Sequence, residues 1–142
     1  MLTELERIAA EQACARLTIA CSLLYDSRDA EGFVALWSED GVWETTRGPM
    51  CGHDTIRRHF GTRPPASLGR HITTNVMIAV IDAEHATGTC YFTYYSSADP
   101  GDERPATIAG PQFVGQYFDT YVKTGAGWRL ARRRMDLTFK FS

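Results

Sequence analysis

Nothing in this sequence approaches the roughly 18 consecutive apolar residues of a membrane-crossing helix. Charge of one sign is also missing. The net charge is −2 at pH 7, which argues against a general affinity for nucleic acid or an anionic lipid surface. Cysteine motifs are missing: the four cysteines, at 14, 21, 51 and 90, form no CxxC pair and no Cys/His cluster at zinc spacing. Cys14, Cys21, Cys51 and Cys90 therefore read as small buried hydrophobes in a reducing compartment. There is no Gly-rich nucleotide loop and no nucleophile elbow, so neither a metal nor a cofactor is expected. The opening "MLTELERIAAEQ" is acidic and helical where a signal peptide would be basic and then apolar, so a cytoplasmic location is expected.

What remains is an ordinary globular composition, 142 residues with 44% hydrophobic and 23% charged, enough for one domain spanning 1–142. Thr3 followed by Glu6 has the form of a capping box. Leu5, Ile8, Ala15, Ile19 and Leu23 then recur at helical spacing, which predicts a long amphipathic helix to about Tyr25. Asp29 is placed to cap a second short helix running through Trp37, and "SEDG" should end it. "VWETT" reads as a strand, "GHDTIRRHF" as a third helix and "RPPASLG" as a loop. The second half is different. "RHITTNVMIAVI", "HATGTCYFTYYSS", "QFVGQYFDTYVK" and "WRLARRRMDLTFKF" are long runs rich in β-branched and aromatic residues, separated by turn signals. Helices first and sheet second is the α+β pattern, with the long helix lying in a strongly curved, mostly antiparallel sheet and a pocket left at one end.

Side-chain alternation within the strands picks out residues of interest. In the last strand the parity of Arg129, Ala131, Arg133, Met135, Leu137, Phe139 and Phe141 is apolar apart from its arginines, which turns Arg133 inward. A buried guanidinium needs an internal acid such as Asp119, or a ligand. Asp119 itself shares a row with Phe113, Gly115, Tyr117 and Tyr121, so it is structurally paired or catalytic. In the first long strand Ile72, Val76, Ile78 and Val80 form an apolar face, while His71, Thr73, Asn75 and Met77 start polar and become apolar. That second face suits a strand passing from a pocket into a core. His71 taken alone is either a structural or a working histidine. His53, His59 and His85 fall in helix or turn contexts and are expected at the surface. Asp26 is the anomaly, an acid at the tail of a helix where the dipole disfavours negative charge.

A long helix ending in "YDSRD", a short helix, "DGVWE", "GRH…N" and a closing "GWRLARR" strand resemble the SnoaL-like branch of the NTF2-like superfamily, from about Leu5 to Phe139. Within it the scytalone dehydratase and LinA-type dehydrochlorinase families look similar. The resemblance maps their Asp-His pair onto Asp26 and His71, and the dehydrochlorinase arginine onto Arg133. Other family positions differ. A second dehydratase histidine falls near Ser96 and a tyrosine near Thr45. The dehydrochlorinase lysine falls near Cys21 and its cysteine near Gly69. The acid of the ketosteroid-isomerase branch, near Thr45, is missing.

The chemistry these residues would support is proton abstraction from carbon. Asp26 would fix the His71 tautomer and leave the other ring nitrogen as the base. Arg133 would stabilise developing negative charge, and Tyr25 would donate to a carbonyl or hydroxyl. Asn75 is a further candidate for substrate contact. Trp43, Phe92, Tyr94, Phe113 and Tyr117 are either core or the walls of a pocket for a small hydrophobic molecule. Elimination, isomerisation and polyketide-type cyclisation all fit. A non-catalytic subunit, like the β subunit of ring-hydroxylating dioxygenases, and a ligand-binding module stay open as rivals. The resemblance also implies a homodimer or homotrimer.

Overall fold

The computed structural model describes residues 1–142. Helix α1 (Glu4–Asp26) opens with the capping box: Thr3 Oγ1 accepts from the Glu6 amide, and the Glu6 carboxylate accepts from the Thr3 amide. Helix α2 (Ala30–Val34) is capped by Asp29, whose carboxylate accepts from the Gly32 amide at 2.9 Å. It stops at Val34 rather than Trp37. Strand β1 (Trp37–Thr45) begins at Trp37 and takes in the "SEDG" stretch that was expected to break a helix. A short β2 (Gly48–Cys51), absent from the expectations, turns back on it. Helix α3 (His53–Gly61) follows, then four long strands: β3 (Leu68–Val80), β4 (His85–Ser97), β5 (Phe113–Thr124) and β6 (Gly127–Lys140).

The sheet order is β2-β1-β6-β5-β4-β3, antiparallel throughout except for the parallel β1–β6 pair. This is the α+β, NTF2-like arrangement. Helix α1 lies across the sheet and packs mainly on β3. The face it turns inward is not the expected aliphatic one. Ala10, Cys14, Thr18, Cys21 and Ser22 are buried, whereas Leu5 (75% exposed), Ile8, Ile19 and Leu23 (65% exposed) point outward. Small side chains let the helix axis approach the concave sheet closely, and the larger aliphatic residues fall on the far side. Of the four cysteines, Cys51 alone is exposed, a departure from the burial expected for all of them.

Of the register slips in the sheet, two reset the alternation around the residues singled out above. On β3 the register slips between Thr74 and Met77, where Asn75 adopts a positive φ of 55°. Before the slip His71 and Thr73 face the helix side. After it Val76, Ile78 and Val80 do, while Ile72 and Met77 are exposed. Ile72 and Val76 therefore lie on opposite faces. On β6 a second slip at Ala131 turns both Leu130 and Arg133 inward, three residues apart. Beyond Leu137 the strand emerges into solvent, leaving Phe139 and Phe141 exposed.

The main core joins α1, α2 and α3 to Trp37, Tyr121 and Leu130. A second, smaller cluster of Cys90, Phe92 and Tyr117 lies next to a cavity at the open end of the cone. No helix is long and apolar enough to cross a membrane.

Candidate active site

The cavity holds about 330 Å³, enough for a small ring system. Helix α1 supplies Cys21, Ser22 and Tyr25 to its wall, α2 supplies Phe33, and β1 supplies Trp43. The long strands add His71, Phe92, Tyr94, Phe113, Tyr117, Arg133, Met135 and Leu137. Of the expected site residues, all but Asp26 and Asn75 line it. Asp26 stands directly behind His71. Asn75 does not reach the cavity, because the bulge that gives it a positive φ leaves its side chain exposed.

Asp26 is the last residue of α1, and both its carboxylate oxygens serve β3. Oδ1 lies 2.7 Å from His71 Nδ1, and Oδ2 accepts the His71 amide at 2.7 Å. The carboxylate thus clamps ring and backbone of one residue. The pair is nearly enclosed, with side chains 9% and 13% exposed. His71 Nε2 has no partner in the protein, and His71 lines the cavity. An Nδ1–H held by a carboxylate leaves Nε2 as the ring's free lone pair.

Aromatic rings fix the imidazole plane. Tyr94 stacks on it with centroids 4.3 Å apart, and Tyr25 meets it edge-on at 5.3 Å. Tyr94 can lie there because position 69 is glycine: a Cβ on Gly69 would sit 2.6 Å from the Tyr94 hydroxyl. Burial raises the Tyr25 pKa, so its hydroxyl stays protonated at neutral pH and can donate.

Arg133 and Asp119 form a second enclosed pair. Nε and Nη2 donate to the two carboxylate oxygens, each at 2.8 Å, and the side chains are 5% and 0% exposed. Asp119 Oδ2 also accepts from Thr18 Oγ1 at 3.3 Å and from the Tyr121 hydroxyl at 3.2 Å. The Thr18 and Tyr121 hydroxyls also touch each other, so their two protons are shared among these three contacts. Burial opposes the guanidinium's charge, but the charge and hydrogen bonds of Asp119 together with the neighbouring Cys21 and Tyr117 hold the Arg133 pKa well above the usual value. The guanidinium lies 4.0 Å over the Tyr117 ring, and its Nη1 has no protein partner. The two readings left open for Arg133 therefore converge: it is an ion-pair partner that still presents one free donor nitrogen on a cavity-lining residue.

Burial pushes the Cys21 thiol up to about 12, so it lines the wall as a neutral group. Cys14 and Cys90 behave alike, at about 12 and about 11. No group of three or more His, Cys, Asp or Glu side chains comes together as a metal cage.

Sequence reasoning missed the mouth of the cavity. His59 was expected at the surface, yet it is half-buried with its ring edge-on to Trp43 at 5.0 Å. Its spacing of three from the buried Ile56 on α3 was the available signal. His53 is also half-buried, bonded through Nε2 to the Trp37 carbonyl at 2.8 Å, whereas His85 is exposed as expected. Arg63, in the proline loop, lies 3.7 Å over the Tyr25 ring and donates from Nη1 to the Tyr25 carbonyl at 2.5 Å.

The family model for the SnoaL-like domain matches residues 6–134. Among solved structures, Rv3472 from Mycobacterium tuberculosis, a protein of unknown function, is 26% identical with a TM-score of 0.75; the match covers 89% of this chain and 74% of that one. A candidate scytalone dehydratase from Novosphingobium aromaticivorans DSM 12444 is 23% identical with a TM-score of 0.78, covering 98% and 91%. The hexachlorocyclohexane dehydrochlorinase LinA-type3 from Novosphingobium barchaimii LL02 is 16% identical with a TM-score of 0.78, covering 98% and 93%. At such identities the last two likenesses show the fold alone. A comparison with curated proteins finds no match. With the family pattern running from the first turn of α1 to Arg134 on β6, the chain belongs to the SnoaL-like domain family on the NTF2-like fold.

Proposed function

We propose that this protein is a cofactor-independent acid–base enzyme acting on a small, largely apolar cyclic substrate. Its reaction is an elimination of the lyase or dehydratase type, or an isomerisation or cyclisation. The observation that carries this reading is His71, gripped through Nδ1 by Asp26 at 2.7 Å and unpartnered at Nε2 on the wall of an aromatic cavity. In that reading Nε2 takes a proton from a substrate carbon, and the Asp26 carboxylate stabilises the imidazolium that results. Arg133 Nη1 and the Tyr25 hydroxyl meet the negative charge that develops on oxygen or on a leaving group. Trp43, Phe92, Tyr94, Phe113 and Tyr117 hold the ring. The names of two structural neighbours, a dehydratase candidate and a dehydrochlorinase, favour elimination. A cytoplasmic homodimer or homotrimer belongs to the same proposal, supported by the free thiols and by the aliphatic residues left outside on α1.

The test does not require the natural substrate. 5-Nitrobenzisoxazole is a flat bicycle that opens when a base removes its single acidic C–H proton, with no cofactor. The protein should accelerate that opening, and His71→Ala should lower the rate by about 10²–10⁴-fold, the range of a positioned general base. Equal rates for the two proteins would overturn the proposal.

A further inference from the structure

The protein carries a net charge of −2, yet Arg47, His59, Arg63, His71 and Arg133 line the cavity and no aspartate or glutamate does. Two of these side chains are answered by carboxylates behind the wall, Arg133 by Asp119 and His71 by Asp26. The mouth is not answered. Arg47 sits in the turn between β1 and β2, exposed, with no ion-pair partner. Arg63 uses Nη1 on the Tyr25 carbonyl, and its Nε and Nη2 have no partner. Glu44, next to the rim residue Thr45, is already taken by Arg132 at 2.5 Å. His59 lines the same cavity and feels the charge of both arginines. Burial first, and then Arg47 and Arg63, lower its pKa, so at neutral pH it is an uncharged hydrogen-bonding group. The hydroxyl-bearing Thr45, Thr46 and Thr62 complete this rim.

A structural role accounts for part of Arg63, since a cation suits the C-terminal end of α1. It leaves two guanidinium nitrogens unused, and it leaves Arg47 unexplained. Charge of one sign around a low-dielectric hollow is an attractor for the other sign. A guanidinium flattened on a tyrosine ring presents its edge in the plane that a carboxylate pairs with.

We infer that the mouth formed by Arg47, Arg63 and His59 is a binding site for an oxyanion of carboxylate size, so that the molecule held is an apolar ring bearing one such group. The ring fills the aromatic floor and the anion stays at the rim. This rests on the cavity being the substrate site, as proposed above. It narrows the substrate class from a largely apolar ring to a ring acid.

Equilibrium binding of two isosteres tests this without turnover. 2-Naphthoate and 2-naphthamide differ chiefly in charge, and each can be titrated against the fluorescence of the tryptophans. The naphthoate should bind at least about ten-fold more tightly, as one desolvated charge-assisted contact implies. Arg47→Gln should narrow the gap, and Arg47→Gln with Arg63→Gln should shrink it to about two-fold or less, with cooperative thermal melting as the control for folding. Added salt should weaken only the naphthoate. Similar affinities for both probes, binding of neither, or a gap that survives the double variant would overturn the inference. His71→Ala separates the two proposals. If that variant erases the gap, the anion sits on the imidazole and the rim site falls. If the gap follows the rim arginines while benzisoxazole opening ignores His71, the rim stands and the acid–base reading falls.

Discussion

Two carboxylates stand behind the cavity wall, and each holds a nitrogen-bearing side chain that reaches through it. They are built for opposite ends. Asp119 is fully buried and accepts from Arg133 twice, from Thr18 and from Tyr121. Asp26 lies at the end of a helix, spends one oxygen on a backbone amide and the other on a ring, and leaves that ring a free lone pair. The first pair cannot change its protonation without stranding a buried charge. The second can take up a proton at Nε2 without losing its contact, because Nδ1 donates to Asp26 in both forms of the ring. The same two residue types, acid and base, thus give a strut in one place and a candidate proton relay in the other. The difference lies in what each has left over: a donor nitrogen that stays charged in one, a lone pair that can take a proton in the other.

The sharpest way to break the comparison is at the relay. His71→Ala, and Asp26→Asn with it, should lower benzisoxazole opening by about 10²–10⁴-fold while the protein still melts cooperatively. The strut should respond in the reverse sense. Asp119→Ala leaves the Arg133 cation buried and alone, and should cost about 3–5 kcal/mol in urea unfolding. Replacing both partners, Asp119→Leu with Arg133→Met, should recover most of that loss, because no charge is then stranded. Its activity should stay below wild type, since Nη1 is gone. Full activity in the double variant would show that Arg133 serves the scaffold only. A smaller effect is expected from Thr18→Val, about 1 kcal/mol by thermal melting, since it removes one of several donors to Asp119.

Alkaline pH probes the surroundings of the strut. Arg133 stays charged there, but Cys14, Cys21 and Cys90 have folded pKa values of about 12, 12 and 11 against an ordinary 9.0. Above pH 9 the unfolded chain therefore releases protons that the folded chain keeps, and stability falls as pH rises. Cys21→Ala should flatten that fall as measured by urea midpoints between pH 9 and 11. In the native protein at neutral pH, a thiol reagent should modify Cys51 rapidly and the other three only on unfolding.

Much of this molecule is written in its sequence. The capping box, the Asp29 cap and the long strand from His85 to Ser97 are each signalled by local chemistry. Asp119 in its aromatic row kept the inward face that alternation assigned to it, because β5 stays regular from Gly115 to Thr120. Asn75 and Ile72 were misassigned because a bulge inserts a residue that no period-two count can detect. The buried face of α1 was misassigned because hydrophobicity ranks Leu and Ile above Cys, Thr and Ala, whereas close approach to a concave sheet favours small side chains. The cavity mouth was invisible for another reason: it joins a turn, a helix and a proline loop, and no periodicity links Arg47, His59 and Arg63.

The kink at Asn75 makes one strand do two jobs. Upstream, β3 presents His71 to the hollow; downstream, it offers Ile78 and Val80 to the packed interior. Straightening the bulge with Asn75 still in the strand would put the halves out of phase, and they could not both stay where they are. Either the imidazole would swing into solvent or the aliphatic pair would. The surplus residue is thus a hinge pin between recognition and cohesion, one that lets the hollow be re-tailored without unpicking the interior.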